Sequence, residues 1–177
     1  MEIGALVIIL IMGIILIITF YVIGLYNALV NSKNKVLDKF NQIDIEIDKV
    51  MDLITCAIDV VKENTKQEDK KINEVLAGTS LVLDAKNMNE RLKFYKGLDK
   101  VLNEMLSLSN TYPELKKNKI FTNFKKCLKE AEAKIDYASS FYNKEAEEYN
   151  NMIKTFPYNI ISKVFKFKEI ELYKIEK

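Results

Sequence analysis

The chain has 177 residues, 27 basic and 25 acidic, with a net charge of +2 and no His. Without His, Ser-His-Asp and Cys-His catalysis and His-ligated metal sites are excluded. Two Pro and five Gly, three of the glycines within the first 24 residues, leave a body poor in turn residues and therefore mostly helical.

In chain order, the first element is apolar. Glu2 is followed by 30 residues, Ile3 to Ser32, without an ionisable acid or base, and every Lys and Arg lies at Lys33 or later. The 23 residues from Ile3 to Leu25 make about 34 Å of helix, against the roughly 30 Å of a bilayer's hydrocarbon core. Sixteen of them are Ile, Leu, Val or Phe, worth on the order of −5 to −10 kcal/mol on insertion. Phe20, Tyr21 and Tyr26 gather near one end, where aromatic rings favour the interface. A cleaved signal peptide is the alternative. The segment has no basic n-region and exceeds the usual apolar length of about 7–15 residues, so it is read as an uncleaved anchor. Lys33, Lys35, Lys39 and Lys49 follow the span and no basic residue precedes it. The positive-inside rule then predicts a single-pass cell-membrane protein, N-terminus outside and body cytoplasmic. Cys56 and Cys127 are too few for a disulfide framework, fit a reducing compartment and read as small packing residues.

Beyond the span, Val36, Phe40, Ile43, Ile47, Val50, Ile54, Ala57 and Val61 follow steps of four and three, the signature of an amphipathic helix. Nothing from Leu29 to Glu63 interrupts it, so the membrane helix is expected to run on into the body and turn near Asn64-Thr65. A second, less regular pattern runs through Ile72, Val75, Leu76, Leu83, Met88, Leu92, Tyr95, Leu98, Leu102, Met105 and Leu106. Gly78-Thr79-Ser80 and Lys86-Asn87 are its two candidate breaks, and Tyr112-Pro113 marks its end. The third pattern is Phe121, Phe124, Leu128, Ala131, Ile135, Ala138, Tyr142, Glu145, Tyr149, Met152 and Phe156, closed by Pro157. Its one polar member, Glu145, has Ala146 beside it, so the stripe either shifts by one there or buries an acid.

Such stripes joined by short loops predict an all-α fold: an N-terminal transmembrane helix running into a long antiparallel bundle of three to four helices. The expected segments are residues 1–27 as the anchor, 28–156 as the bundle and 157–177 as an amphipathic tail. That tail mixes Ile160, Ile161, Val164, Phe165 and Phe167 with Lys163, Lys166 and Lys168. It either folds back on the bundle as a short helix or lies on an anionic membrane surface.

No Gly-rich phosphate loop, CxxC pair or nucleophile elbow is present. The carboxylates Asp44, Glu46, Asp48 and Asp52, and Glu130, Glu132 and Asp136, have lysines nearby and read as solvated salt-bridge faces. No catalytic, cofactor-binding or metal-binding residue is assigned, and no cofactor. Beyond Ser32 the chain carries all 27 basic groups and 24 acidic ones, a net +3 with the signs interspersed. That is too mild for a nucleic-acid footprint, and no nucleic-acid partner is expected. Tyr26-Asn27, Tyr142-Asn143 and Tyr149-Asn150 repeat an aromatic with a polar tip followed by an amide. They read either as seam tyrosines with locally bonded asparagines or as a partner-binding face.

Taken in order, these pieces resemble the LemA family of bacterial membrane proteins. Tyr26-Asn27-Ala28-Leu29-Val30 is similar to its YNxLV, Gln42-Ile43-Asp44 to its QID, Asp52-Leu53-Ile54 to its DLI, and Tyr112-Pro113-Glu114-Leu115-Lys116 to its YPxLK. Tyr142-Asn143, Tyr149-Asn150, Phe156-Pro157 and Asn159-Ile160-Ile161 follow its closing pattern. The chain departs from the family at Thr55, where Pro is usual, at Val50, where a basic residue is common, and at Ser139, where Arg is. The resemblance implies a membrane-anchored bundle of four long helices and no transferable activity. The expectation is a non-enzymatic scaffold or adaptor, tethered through Ile3 to Leu25, that presents a helical surface to a protein partner. A self-associating structural membrane protein is the main alternative, with an enzyme or metal-binding bundle behind it. Gly13 and Gly24 are not at GxxxG spacing, so the span carries no strong dimer motif.

Overall fold

The structure, a computed structural model, describes residues 2–64, 70–85 and 87–173. Every regular element among them is helical: α1 (Glu2–Asn64), α2 (Lys70–Leu83), α3 (Met88–Lys96), α4 (Leu98–Thr111), α5 (Glu114–Lys117), α6 (Lys119–Lys154) and α7 (Tyr158–Val164). The chain forms an all-α antiparallel bundle. Two compact units share it: Met1–Asp38 with Asn143–Leu172, and Lys39–Tyr142 with Tyr173–Lys177. The division cuts across the three segments expected from sequence, because α1 and α6 each contribute to both units.

Helix α1 runs unbroken from the apolar segment through the first amphipathic stripe to Asn64. Thr65 lies outside the described residues. All eight residues of that stripe, Val36 to Val61, are buried. The apolar end is different. From Ile3 to Ile23 its large side chains are exposed except for half-buried Val22, and its most apolar window has mean hydropathy 3.2 with none of it buried against protein. A helix that hides one stripe and bares the other end on all sides has two solvents.

In the unit of Lys39–Tyr142, α2 packs on α3 and α4, and α3 and α5 pack on α4. Ile72, Val75, Val82, Leu92, Leu102, Met105 and Leu108 fill the space between. Helices α4 and α6 run antiparallel: Lys125 Nζ donates to Ser109 Oγ at 2.9 Å, and Leu106 shares a groove with Leu128. Helices α1 and α6 are antiparallel too. The Phe40 and Tyr142 rings meet at 6.1 Å, and Cys56 and Cys127 line one groove, so the numbering rises on α1 as it falls on α6.

Gly78-Thr79-Ser80 does not break α2. The Thr79 hydroxyl donates to the Val75 carbonyl at 2.8 Å and the Ser80 hydroxyl to Leu76 at 3.0 Å, satisfying both polar groups inside the helix. Helix α2 ends at Leu83 and α3 begins at Met88, where Asn87 Oδ1 accepts from the Glu90 amide at 3.0 Å and so caps α3. Lys86 lies outside the described residues. A further interruption, not anticipated, separates α3 from α4 at Gly97. Leu83, expected in the core, is 56 % exposed. The side chains of Tyr95 and Leu98 lie outside those described.

The motif at Tyr112-Pro113 does end a helix. Tyr112 is extended (φ −120°, ψ 91°), as the following Pro requires. Leu115 is buried, and Asn118 Oδ1 then accepts from the Ile120 and Phe121 amides, starting α6. Along α6 the stripe shifts by one after Ile135: Ser139, Ala146 and Ile153 are buried in place of Ala138, Glu145 and Met152. Glu145 is therefore no buried acid, and Phe156, beyond the end of α6, is exposed.

Arg91, the chain's single arginine, reaches from α3 to Asp44 and Asp48 on α1. Two carboxylates one helical turn apart need a donor fork rather than a point charge. The guanidinium is mostly covered while Asp48 is largely open to solvent, so the pairing is a partly screened one. Arg91→Ala is expected to lower stability by about 1–2 kcal/mol and Arg91→Lys by roughly half of that. Thermal melts of the detergent-solubilised chain followed by circular dichroism test this; identical midpoints for all three proteins would sink it.

Candidate functional site

Two places gather chemistry-bearing side chains. The first lies in the unit of Met1–Asp38 with Asn143–Leu172 and holds most of the Tyr-Asn pairs. Tyr149 sits fully buried on α6, and its hydroxyl donates to the Lys168 carbonyl at 3.1 Å. Asn150 clamps the next residue but one: its Nδ2 donates to the Ile170 carbonyl and its Oδ1 accepts from the Ile170 amide, both at 2.8 Å. An amide side chain thereby satisfies an extended segment that no sheet pairs. Lys154 and Glu169 add an ion pair at 2.8 Å. From α1, the Tyr26 ring lies 4.8 Å from Phe165 and 5.7 Å from Phe167. The chain turns between those two rings. The Phe167 amide donates to the Ser162 carbonyl and the Lys166 amide to Lys163, the pair of bonds that closes a helix through a left-handed residue, here Lys166 at φ 58°.

Thus Tyr26, Tyr149 and Asn150 act on one segment, residues 165–170, and the tail folds back as a short helix plus this clasped stretch. Asn27 is exposed beside Tyr26. Tyr142 belongs to the other unit, fully buried against Phe40, and Asn143 is half-buried.

The second place is a groove of about 380 Å³ in the unit of Lys39–Tyr142, between α1 and α6. Leu53 and Ala131 lie in it, with Glu46, Lys49, Asp52, Glu130 and Lys134 along it. Lys49 pairs with Glu46 at 2.6 Å and Lys126 with Glu130 at 3.9 Å, so the rim is zwitterionic. Cys56 is exposed and Cys127 half-exposed on this groove; both are free thiols and neither is the core filler expected from sequence. Among the described residues, no three carboxylates or thiols converge on a point where one ion would sit.

The groove has an apolar continuation. On α6, Glu130, Lys134, Tyr137 and Phe141 follow steps of four, three and four, one helical face. Tyr137 and Phe141 form an edge-to-face pair at 4.9 Å and are 70 % and 41 % exposed. On α1 the same steps join Cys56, Asp52 and Lys49 to Ile45, itself exposed. The sequence reading missed Ile45, Tyr137 and Phe141. Their signal was available: three large apolar residues on two well-phased helices, out of phase with the buried stripe.

Fold and surface together define an all-helical protein with one helix long and apolar enough to cross a membrane among the described residues. The family model of the LemA family matches residues 39–177, and the chain belongs to that family. It is accordingly a membrane-associated helical protein. No curated protein matches it. The matched region contains the clasp residues of α6 and both walls of the groove; Tyr26 and Asn27 lie before it.

Burial holds the Tyr149 phenol above its ordinary value. As pH rises, the unfolded chain releases this proton first, so the stability the group contributes is complete below about pH 10 and declines as pH climbs through the raised value. Tyr149→Phe removes the bond to Lys168, at a cost of about 0.5–1.5 kcal/mol near neutrality. It also removes the alkaline loss, so the stability gap between parent and variant should narrow above about pH 10. Denaturation midpoints of both proteins across that range test the point; a gap independent of pH would overturn it.

Proposed function

We propose that this protein is a non-enzymatic adaptor, anchored in the cell membrane through Ile3–Leu25, whose α1–α6 face presents a docking surface to a protein partner in the cytoplasm. The observation that carries this reading is the exposed set Ile45, Tyr137 and Phe141 continuing the groove between α1 and α6. Exposed aromatics beside a concave strip are the kind of anchor on which protein interfaces concentrate their energy. The zwitterionic rim favours an occupant carrying both signs of charge, as an amphipathic helix laid along the groove does. A tether raises the local concentration of the bound partner at the membrane without any new contact, which suits a body with an exposed binding face.

A photo-crosslinking side chain in place of Tyr137, in the full-length chain in living cells, tests the docking surface. The expected product is a discrete adduct with a different protein, lost when Phe141→Ala is added while helicity is unchanged. An adduct with a second copy of this chain supports the self-associating alternative instead, and the absence of any adduct sinks the docking surface.

Orientation is tested separately, by Lys70→Cys in a background of Cys56→Ser and Cys127→Ser. An impermeant maleimide is expected to leave intact cells unlabelled and to label after lysis. Labelling of intact cells would place the body outside and move the partner to the envelope.

A further inference from the structure

The short helix α7 leaves an apolar face uncovered in the same unit as the apolar end of α1. Ile161 and Ser162 point inward, with the Ser162 hydroxyl donating to the Ile153 carbonyl at 2.9 Å. Phe156, Ile160, Val164 and Phe165 point outward and are 73 %, 53 %, 67 % and 49 % exposed. Ile160 and Val164 are spaced by four and share one face of α7, while Phe156 precedes the helix. Four large apolar side chains bared together on a segment this short call for an apolar surrounding.

Its identity follows from level. Tyr26 is the first residue after the apolar run Ile3–Leu25, and it touches both Phe165 and Phe167. The Tyr149 and Asn150 bonds hold the chain there, at Lys168 and Ile170. The exposed face is thus pinned beside the end of the apolar run of α1. Three lysines accompany it, Lys163, Lys166 and Lys168, against two acids, Glu169, which Lys154 already pairs, and Glu171. One of the three, Lys166, occupies a left-handed position where glycine is the usual residue, at the cost of backbone strain.

We propose that α7 and the clasped segment form a second membrane contact: Phe156, Ile160, Val164 and Phe165 enter the headgroup–acyl boundary of the leaflet at Tyr26, with the lysines among anionic headgroups. An amphipathic segment with apolar residues on one side and lysines beside them is suited to that boundary. The inference rests on the reading of Ile3–Leu25 as a span, and its test separates the two.

The chain contains no Trp, so single tryptophans report position directly. Full-length Ile15→Trp, Ile160→Trp and Glu147→Trp variants are reconstituted in vesicles of phosphatidylglycerol and phosphatidylcholine, with and without acyl-chain bromine. Ile15→Trp and Ile160→Trp should be quenched at least twofold, the latter best by bromine near the headgroup, and Glu147→Trp, on the exposed side of α6, should not. Replacing the three lysines with Gln should reduce the quenching of Ile160→Trp in anionic vesicles. An unquenched Ile15→Trp overturns the span itself. A quenched Ile15→Trp beside an Ile160→Trp that emits like a water-exposed indole leaves the span standing and overturns the second contact. A blue-shifted but unquenched Ile160→Trp also overturns it, in favour of a second copy, and quenching indifferent to the lysines overturns the headgroup contact.

Discussion

The antiparallel register between α1 and α6 in the unit of Lys39–Tyr142 is the constraint from which the groove follows. From Phe40 to Cys56 α1 advances 16 residues, and from Tyr142 back to Cys127 α6 retreats 15, about 24 Å against about 22 Å. With the rows in step, buried residues of one helix meet buried residues of the other, and the flanking positions line up into a strip. Glu46, Lys49 and Asp52 come to lie along Glu130 and Lys134 for that reason alone. A shift of one residue in the buried stripe of α6 would turn different side chains toward the strip. The stripe shift buries Ala146 in place of Glu145 and so keeps that acid out of the core, at the expense of burying the Ser139 hydroxyl, which bonds to its own helix at the Asp136 carbonyl.

Legibility in the sequence tracked how far a feature depends on period alone. Every residue read in the stripe from Val36 to Val61 is buried because its steps never deviate and α1 is unbroken, while Met51, Ile58 and Val60, buried beside it, fall outside that strict period. The α2–α4 stretch was not, since its breaks are decided by local hydrogen bonding. Thr79 and Ser80 look like a turn but bond back to their own helix, whereas Gly97, unremarkable in composition, separates two helices. The Tyr-Asn pairs showed that something recurs without showing what. Whether an asparagine serves its own helix or a segment 20 residues away, as Asn150 serves Ile170, depends on where the chain returns. Tyr137 and Phe141 were legible in principle, as apolar residues out of phase, but a reading intent on the stripe passes over what the stripe leaves out.

The clasp explains why a tail of mixed character keeps one path. An extended segment has no intrinsic partner for its amides and carbonyls, and such groups tolerate neither burial nor neglect. Tyr149 and Asn150 supply three bonds from a rigid helix to Lys168 and Ile170, and the turn at Lys166 supplies two more. A phenol keeps its proton across the physiological range, so the Tyr149 donor persists there, and burial raises its pKa further.

The distribution of exposed apolar surface then separates two tasks that composition merges. Exposed Ile and Leu along α1 are bare on every side, which suits a solvent without direction such as lipid. Ile45, Tyr137 and Phe141 are bare on one side only, beside a charged strip, which suits a partner that also brings polar groups. The face of α7 is intermediate, apolar on one side with lysines at its edge, which suits a boundary between oil and water. Average hydropathy cannot distinguish these surfaces, because each contains the same residue types. What distinguishes them is how exposure is arranged around the helix axis and which charges stand at the margin.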